Sequence, residues 1–345
     1  MTVPATHGSV ERAQRLEAAG WDGVTYTDSQ NLCPDPFVVT GLVASRTERL
    51  GLATGVTNVH TRHPAALATA AATVNEIADG RFVLGVGRGD TALFHLGLPP
   101  MPVAEFFGRT EQLQSYLAGD TIHIGDRPSR LRWLERARSG KVPLDLAVSG
   151  PKMIAFAGRT AERITFALGA DPDRIAWGID LARTAAADTG RDPDELDLGA
   201  YVNVGCHPDL DVARSMVRGA VAAFAHFSAM PGSTGAGLAE RDRAVVAEVG
   251  KRYDSNEHLR NDAGHTAALD DGFTDRFAVC GPPDRVIERL HEMHALGIRR
   301  CVVTGPDFGT AADHAATARR LITAEVLPAV HDLGSTPAAG TPSTP

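Results

Sequence analysis

Short β-branched runs alternate with longer helical segments along most of the chain. The runs RLGLATGVTNV, RFVLGVGRG and VPLDLAVS are each followed by a segment with helical character. Strands that alternate with helices are typical of parallel βα units. Seven or eight such units in 345 residues predict an α/β fold, a (β/α)8 TIM barrel. The first helix begins near residue 8, so the first strand is either abbreviated within MTVPAT or missing because the chain starts late in the fold.

The domain organisation predicted from this pattern is a single barrel domain over residues 1–333. An irregular stretch, residues 226–273, interrupts the pattern before the last strand. Long connections of this kind are often lids over an active site, although a surface elaboration fits the sequence equally well. The Pro-, Ser-, Thr- and Gly-rich residues 334–345 are predicted to form a disordered tail.

Composition and charge exclude several classes of protein. The net charge is −8 and the Lys and Arg residues are scattered, which argues against nucleic acid as a partner. No apolar run approaches the ~20 residues of a membrane helix, and no signal peptide opens the chain, so a cytoplasmic protein is expected. His60 and His63 lack a third ligand at a suitable spacing, and no metal is expected.

The motif LGVGRGD places Gly85, Gly87 and Gly89 at alternate positions at the end of a strand. One interpretation is a dinucleotide phosphate loop, although the spacing differs from G-x-G-x-x-G. The other is a barrel strand whose bare face lets a ligand or a neighbouring backbone come close. Asp90 then lies either at the carboxyl-end rim, where barrel active sites are found, or serves only to cap the next turn.

The motif SGPKM suggests an anion site. Ser149 is an N-cap candidate and Pro151 suits a first helical turn, with the Lys152 charge beside them. Free amides at such a helix start would bind a phosphate. The alternative is an ordinary capped helix with an exposed lysine. Since no nucleophile motif accompanies these features, a cofactor is expected to carry the chemistry.

These motifs together resemble a known family. The segments GLATGVTNVHTRHPAALATAAATVNEIADGRFVLGVGRGD, VPLDLAVSGPKMIAFAGRTAERITFALGADPDRIAW and FTDRFAVCGPPDRVIERLHEMHALGIRRCVVTGP resemble the bacterial luciferase-like flavin and deazaflavin oxidoreductases. The branch containing the methylenetetrahydromethanopterin reductases is the most similar, and the likeness covers about residues 8–330.

The resemblance implies a site for the cofactor. A cis peptide bond between Gly55 and Val56 would lie behind the flavin ring, and the phosphate would bind at residues 149–152, with backbone contacts from residues 169 and 170. The implied cofactor-binding residues are Gly55, Val56, Thr57, Asn58, Gly87, Ser149, Gly150, Pro151, Lys152, Gly169 and Ala170.

On the substrate side, the resemblance implies Ser29 as a contact and Asp28 and Asp90 as catalytic candidates. The methanopterin reductases share an acidic residue on strand one, but this chain has no Asp or Glu before Glu11. The folate-like substrate is therefore not carried over, and Asp90 or His95 is the candidate proton donor.

The expected function is hydride transfer between coenzyme F420, a deazaflavin, and a small molecule with an unsaturated C=C, C=N or carbonyl group. The alternatives are an FMN-dependent monooxygenase that uses reduced flavin and oxygen, and a non-catalytic barrel, which loss of strand one would favour. The resemblance also implies a homodimer through the second and third helices, where ALATAAATV provides a face of small residues. The alternative is that these alanines simply pack against the barrel.

Overall fold

The chain folds into a parallel nine-stranded sheet and a separate two-stranded hairpin. The computed structural model describes residues 1–230 and 235–334. The strands are β1 (Thr2–Pro4), β2 (Gly23–Thr27), β3 (Gly51–Thr54), β4 (Phe82–Val86), β5 (Ile122–Ile124), β6 (Arg127–Ser129), β7 (Leu144–Val148), β8 (Arg163–Phe166), β9 (Asp197–Cys206), β10 (Val279–Gly281) and β11 (Arg300–Thr304).

The parallel sheet curls into a barrel. Its neighbours run in the order β1-β2-β3-β4-β7-β8-β9-β10, β11 also pairs with β9, and β11 contacts β1. The predicted barrel with a short first strand is confirmed, since Thr2–Pro4 pairs in parallel with β2. Because the strands are parallel, their carboxyl ends meet at one rim, where barrel enzymes build their sites.

The helices cover the outside of the sheet. Five helices begin with a proline, whose fixed φ suits the first turn: Pro36, Pro64, Pro151, Pro172 and Pro283. The helices are α1 (Ser9–Ala18), α2 (Pro36–Ala44), α3 (Pro64–Ile77), α4 (Thr91–Phe94), α5 (Val103–Ala118), α6 (Pro151–Thr160), α7 (Pro172–Ala187), α8 (Leu210–Ser215), α9 (Arg218–Ala229), α10 (Glu240–Arg252), α11 (Asp271–Phe277), α12 (Pro283–Ala295), α13 (Ala312–Leu321) and α14 (Leu327–Gly334), with 3-10 turns at Arg132–Arg136, Pro193–Glu195, Ser255–Glu257 and Gly264–Ala268 and a π-helical turn at Ile322–Val326. None of these helices is long and apolar enough to cross a bilayer.

The stretch predicted as an insertion lies between β9 and β10. It contains the end of α9, then α10, two of the 3-10 turns and the start of α11. Its apolar residues form a second buried cluster that includes Val246, Val249 and Phe273. Residues 231–234 of this stretch lie outside the described residues, as does the predicted tail except Gly334, which ends α14.

The small-residue face expected on α3 is wrong as a surface for subunit contact. Ala68, Ala71 and Ala72 are buried against the barrel. The apolar side chains that α2 and α3 do expose are larger: Val38 is 73% exposed and Leu42 55%.

Candidate active site

A cavity of about 280 Å³ opens at the carboxyl ends of the barrel strands. Its walls come from the segments that follow β2, β3, β4 and β7, and from α9 and the turn at residues 258–259. The predicted site residues that line it are Asp28, Ser29, Gly55, Val56, Thr57, Asn58, Gly87, Asp90, Ser149 and Gly150. The other predicted residues, which lie outside this lining, are His95, Pro151, Lys152, Gly169 and Ala170.

The segment after β3 has the backbone that the resemblance implied. The peptide bond between Gly55 and Val56 is cis. The Gly55 N–H donates to the Tyr26 carbonyl (2.8 Å), which ties the segment to β2. A Cβ at residue 55 would lie 2.2 Å from Thr25 Oγ1, so only glycine fits there.

Gly85 near the end of β4 and Gly87 just after it make room mainly for this neighbouring segment. A Cβ on Gly85 would lie 2.1 Å from the Thr54 carbonyl oxygen, and one on Gly87 would lie 2.8 Å from Val56 Cγ2. The close neighbour of Gly85 is thus backbone of β3 rather than a ligand, whereas Gly87 borders the cavity. Because β4 is an inner strand of a barrel, the dinucleotide-loop interpretation is wrong.

The Asp28 carboxylate is buried, and both of its oxygens accept hydrogen bonds. Its Oδ2 accepts from Thr57 Oγ1 (2.6 Å) and Arg62 Nε (3.3 Å), and its Oδ1 accepts from Gln30 Nε2 (2.8 Å). Thr57 is completely buried, and its hydroxyl is used in the bond to Asp28; its contact with a cofactor ring stays a prediction. These contacts make Asp28 a positioning residue for the segment after β3, and a catalytic role for it stays a prediction.

Asn58 also holds this segment. Its Oδ1 accepts from the N–H groups of His60 (3.0 Å) and Thr61 (2.9 Å), which closes the turn before α3. In the part of the chain that the structure describes, the Asn58 Nδ2 group donates no hydrogen bond, so it can donate to a ligand. Ser29 similarly closes a turn, since its carbonyl accepts from the Leu32 N–H (2.8 Å).

The N-cap of α6 differs from the predicted one. Its N-cap is Gly150, with no side-chain capping bond, and Pro151 follows in the first turn. The N-cap role predicted for Ser149 is therefore wrong. Because no side chain within residues 1–230 and 235–334 caps its first amides, this helix start can bind an anion, with the exposed Lys152 alongside.

The region around Gly169 and Ala170 packs against α11. A Cβ on Gly169 would lie 2.6 Å from a ring carbon of Phe277. The Ala170 N–H donates to the Phe277 carbonyl (3.1 Å), and the Ala170 carbonyl accepts from Arg289 (2.7 Å). These backbone groups are engaged within the protein, and their contact with a cofactor stays a prediction.

Asp90 has an uncommitted carboxylate oxygen at the rim. It precedes α4 but makes no side-chain capping bond, so the capping alternative fails. Among the described residues its buried Oδ2 has no hydrogen-bond partner, and it lies 3.5 Å from His226 Nε2. Arg88 borders the same cavity, and burial lowers its pKa while the charge of Asp90 opposes that shift.

The predicted proton donor His95 does not line the cavity. Its carbonyl accepts from Asn31 Nδ2 (2.7 Å), and its ring packs against Phe94 with centroids 5.3 Å apart. The histidines nearer to Asp90 are His226 and His258, both in the predicted insertion. Sequence reasoning missed them because no local motif marks them.

An aromatic cluster surrounds these two histidines. The His226 ring stacks on Tyr253 with centroids 4.0 Å apart, and the Tyr253 hydroxyl hydrogen-bonds His258 Nδ1. Burial lowers the pKa of His258 to about 4. This cluster places a neutral imidazole at the cavity wall, opposite the strand ends.

The profile of the family described as "Luciferase-like monooxygenase" matches residues 2–300. The chain belongs to this family. It is therefore an oxidoreductase of the luciferase-like class, as the sequence predicted, and the non-catalytic alternative falls. Strand β1, whose loss would favour a non-catalytic barrel, is present and pairs with β2.

Two relatives illustrate where the chain lies within the family. It is 28% identical over 301 residues to 5,10-methylenetetrahydromethanopterin reductase of Methanolobus tindarius, covering 85% of this chain and 89% of the relative. It is 28% identical over 319 residues to F420-dependent glucose-6-phosphate dehydrogenase of Microbacterium testaceum (strain StLB037), covering 84% of each. The predicted resemblance to the reductase branch is confirmed.

Solved structures agree on the fold. The coenzyme F420-dependent tetrahydromethanopterin reductase from Methanopyrus kandleri superimposes with a TM-score of 0.74 at 22% identity, over 95% of this chain and 97% of the other. An F420-dependent secondary alcohol dehydrogenase, solved in complex with an F420–acetone adduct, gives 0.71 at 19% identity with the same coverage. At these identities the likeness concerns the fold alone.

Proposed function

We propose that this protein binds coenzyme F420 and catalyses hydride transfer between F420 and a small molecule with an unsaturated C=C, C=N or carbonyl group. The observation that carries the proposal is the uncapped start of α6 at the same cavity as the cis Gly55–Val56 segment. The relatives named for F420, which match over most of the chain, support the choice of cofactor.

The residues present fit such a cofactor. The amides that follow Gly150, with the Lys152 ammonium, would bind its phosphate, because a helix N-terminus carries partial positive charge. Val56 and Gly87 would support one face of the ring, and Asn58 Nδ2 would donate to its polar edge. When bound, the deazaflavin supplies or accepts the hydride.

The protein's own contribution is to bury the reacting atoms and to handle a proton. Among the described residues Asp90 Oδ2 makes no hydrogen bond, with His226 Nε2 3.5 Å away, so we assign Asp90 the exchange of that proton. Asp28 and Arg62 hold the segment that carries Thr57 and Asn58, and thereby keep the cofactor wall in place.

The test is titration of the purified protein with F420 and with FMN, followed by cofactor absorbance and fluorescence. We expect F420 to bind more tightly and Lys152→Ala to weaken it at least about fivefold, the loss of one charge-assisted contact. Lys141→Ala is the matched control, because Lys141 pairs with Glu162 at the amino-terminal end of the barrel.

Tighter binding of FMN would favour the alternative, a monooxygenase that uses reduced flavin and oxygen. That alternative is supported by the family's description and by the fold shared with the monooxygenase RslO1 from Streptomyces bottropensis, with a TM-score of 0.62. Failure of both cofactors to bind would contradict the proposal as a whole.

We also propose a homodimer through α2 and α3. Helix α2 is apolar on every face, yet Val38 and Leu42 are exposed, and Ile77 at the end of α3 is 45% exposed. Leu42→Lys should shift the protein from dimer to monomer in sedimentation velocity, whereas Ile124→Lys on the β5–β6 hairpin should not. A cytoplasmic location and the lack of a nucleic-acid partner stay predictions.

A further inference from the structure

The wall of the cavity opposite the strand ends is aromatic and comes largely from the insertion and α9. Phe224 packs against Tyr201 of β9 (centroids 6.1 Å apart) and against Phe227 (5.7 Å). The centroids of the Phe227 and His258 rings lie 6.4 Å apart. Leu259 and Met230 also border the cavity, so the surface facing the cofactor residues is mostly apolar.

His258 is the imidazole on this wall, and Tyr253 fixes its tautomer. Burial raises the pKa of the Tyr253 hydroxyl well above its ordinary range, so this group keeps its proton. Among the described residues His258 Nδ1 is its one hydrogen-bond partner, so we assign Tyr253 as the donor, because the reverse direction would leave the buried hydroxyl proton without an acceptor. Neutral imidazole carries one proton, which must then be on Nε2. Among the described residues Nε2 has no hydrogen-bond partner, so His258 presents an N–H donor to the cavity.

The backbone beside His258 is held in an unusual conformation. Leu259 has φ 61°, a left-handed value that costs a residue with a Cβ free energy. Gly219 of α9 allows this turn, because a Cβ on Gly219 would lie 2.5 Å from the Leu259 carbonyl carbon. The packing of α9 on this turn therefore positions His258 and Leu259 at the cavity wall.

We propose that this wall is the substrate subsite and that it takes an apolar carbonyl compound. The carbonyl oxygen accepts a hydrogen bond from His258 Nε2–H, and the hydrocarbon part lies against Phe224, Phe227 and Leu259. This inference deepens the proposed function and rests on it, since it names the substrate class of the same site. His258 binds and polarises the carbonyl group, and Tyr253 is a positioning residue that holds the required tautomer.

The tautomer is measured first, in the protein labelled with 15N-histidine. We expect the His258 resonances, assigned by their loss in His258→Gln, to show a protonated Nε2 and an unprotonated Nδ1 from about pH 5.5 to pH 8. The titrating groups that act on His258 are Asp90, His226, His265 and His95, and the Tyr253 hydroxyl contacts it. In Tyr253→Phe the preference for Nε2–H should be lost. A protonated Nδ1 in the wild type would overturn the assignment.

Binding is measured next, with the protein loaded with oxidised F420 and titrated with 2-butanone, 2-hexanone and 2-octanone. We expect Kd to fall about three- to fourfold for each added CH2, the value for burial of one methylene group. His258→Phe should raise the Kd for 2-octanone about two- to tenfold, the value for one hydrogen bond, with the Kd for F420 unchanged. His258→Gln should restore part of the loss, and His123→Phe on the exposed β5–β6 hairpin is the control.

The outcomes separate the two proposals. If F420 binds but Kd does not depend on ketone length, or His258→Phe binds 2-octanone as the wild type does, the subsite is wrong and the cofactor proposal stands. If F420 does not bind, the cofactor proposal fails. The His258 15N resonance in the cofactor-free protein, titrated with 2-octanone, then decides the subsite: a shift supports it and an unchanged resonance overturns it.

Discussion

The Nε2 atom of His226 lies 3.5 Å from the Oδ2 atom of Asp90, and this contact joins the barrel rim to α9. The His226 ring stacks in turn on Tyr253, whose hydroxyl orients His258. Asp90 at the β4 end and His258 on the far wall therefore line one cavity, and His226 and Tyr253 connect them. The group proposed to exchange a proton and the proposed hydrogen-bond donor lie together where the strands end.

Asp90→Asn should remove proton exchange while keeping the shape of the rim. We expect turnover of reduced F420 with 2-octanone to fall at least about 100-fold, the usual value for loss of a general acid or base. The Kd for F420 should change less than twofold, because Asp90 follows β4 and is not part of the helix start at Gly150 that would bind the phosphate. Asp126→Asn in the exposed hairpin turn is the matched control, and equal turnover in both variants would contradict the role of Asp90.

Gly85→Ala should destabilise the fold, because its Cβ would lie 2.1 Å from the Thr54 carbonyl oxygen in the adjacent strand. We expect the free energy of unfolding to fall by about 2 kcal/mol or more in urea titrations. Gly108→Ala is the matched control within α5, where a Cβ meets nothing within 4 Å. That variant should gain up to about 1 kcal/mol from helix propensity, and a loss as large as that of Gly85→Ala would argue against the steric explanation.

Asp28→Ala should leave Thr57 Oγ1 and Arg62 without their buried acceptor. The expected loss in the free energy of unfolding is about 2–3 kcal/mol, the cost of unsatisfied buried partners. Asp28→Asn keeps an acceptor oxygen and should lose about half as much, whereas Asp126→Ala should stay within about 0.5 kcal/mol of the wild type. If Asp28→Asn instead abolished turnover at full stability, Asp28 would be catalytic rather than positioning.

His258 should make the fold acid-sensitive, since burial lowers its pKa to about 4. The unfolded chain binds the proton near pH 6.5 and the folded chain does so only near pH 4, so stability falls as pH drops through this window. Between pH 7 and pH 4.5 we expect the wild type to lose about 2 kcal/mol more than His258→Gln. Urea unfolding at the two pH values measures this difference, and parallel losses would show that His258 titrates normally.

The buried carboxyl group of Asp307 should make the folded protein less stable as the pH rises, the opposite of the effect of His258. Burial raises its pKa to about 7, and its Oδ2 accepts from the Ala220 N–H (2.7 Å) at the start of α9. The unfolded chain releases this proton near pH 4, so the wild type loses stability as pH rises toward 7. Asp307→Asn, which keeps the acceptor, should gain about 2 kcal/mol relative to the wild type between pH 5 and pH 7. An equal change in both proteins would contradict the raised pKa.

Some element boundaries follow from the local sequence and others do not. The start of α3 at Pro64 and the positive φ of Gly20 after α1 follow from residue types that have one strong local preference. The N-cap of α6 did not follow, because Ser149 and Gly150 are both residue types that cap helices and local preference does not choose between them. The β5–β6 hairpin, in a stretch of polar residues, had no hydrophobic pattern to mark it.

The sequence by itself determined the alternation of the main strands and helices, the glycine-rich end of β4 and the segment containing Gly55 and Val56. These depend on residue type and on spacing over a few positions. Only the tertiary structure decided that Thr57 points to Asp28, that Gly85 accommodates the backbone of β3, and that His258 faces the cavity. Such contacts join residues from distant parts of the chain, and their geometry exists only once the barrel and the insertion have packed together.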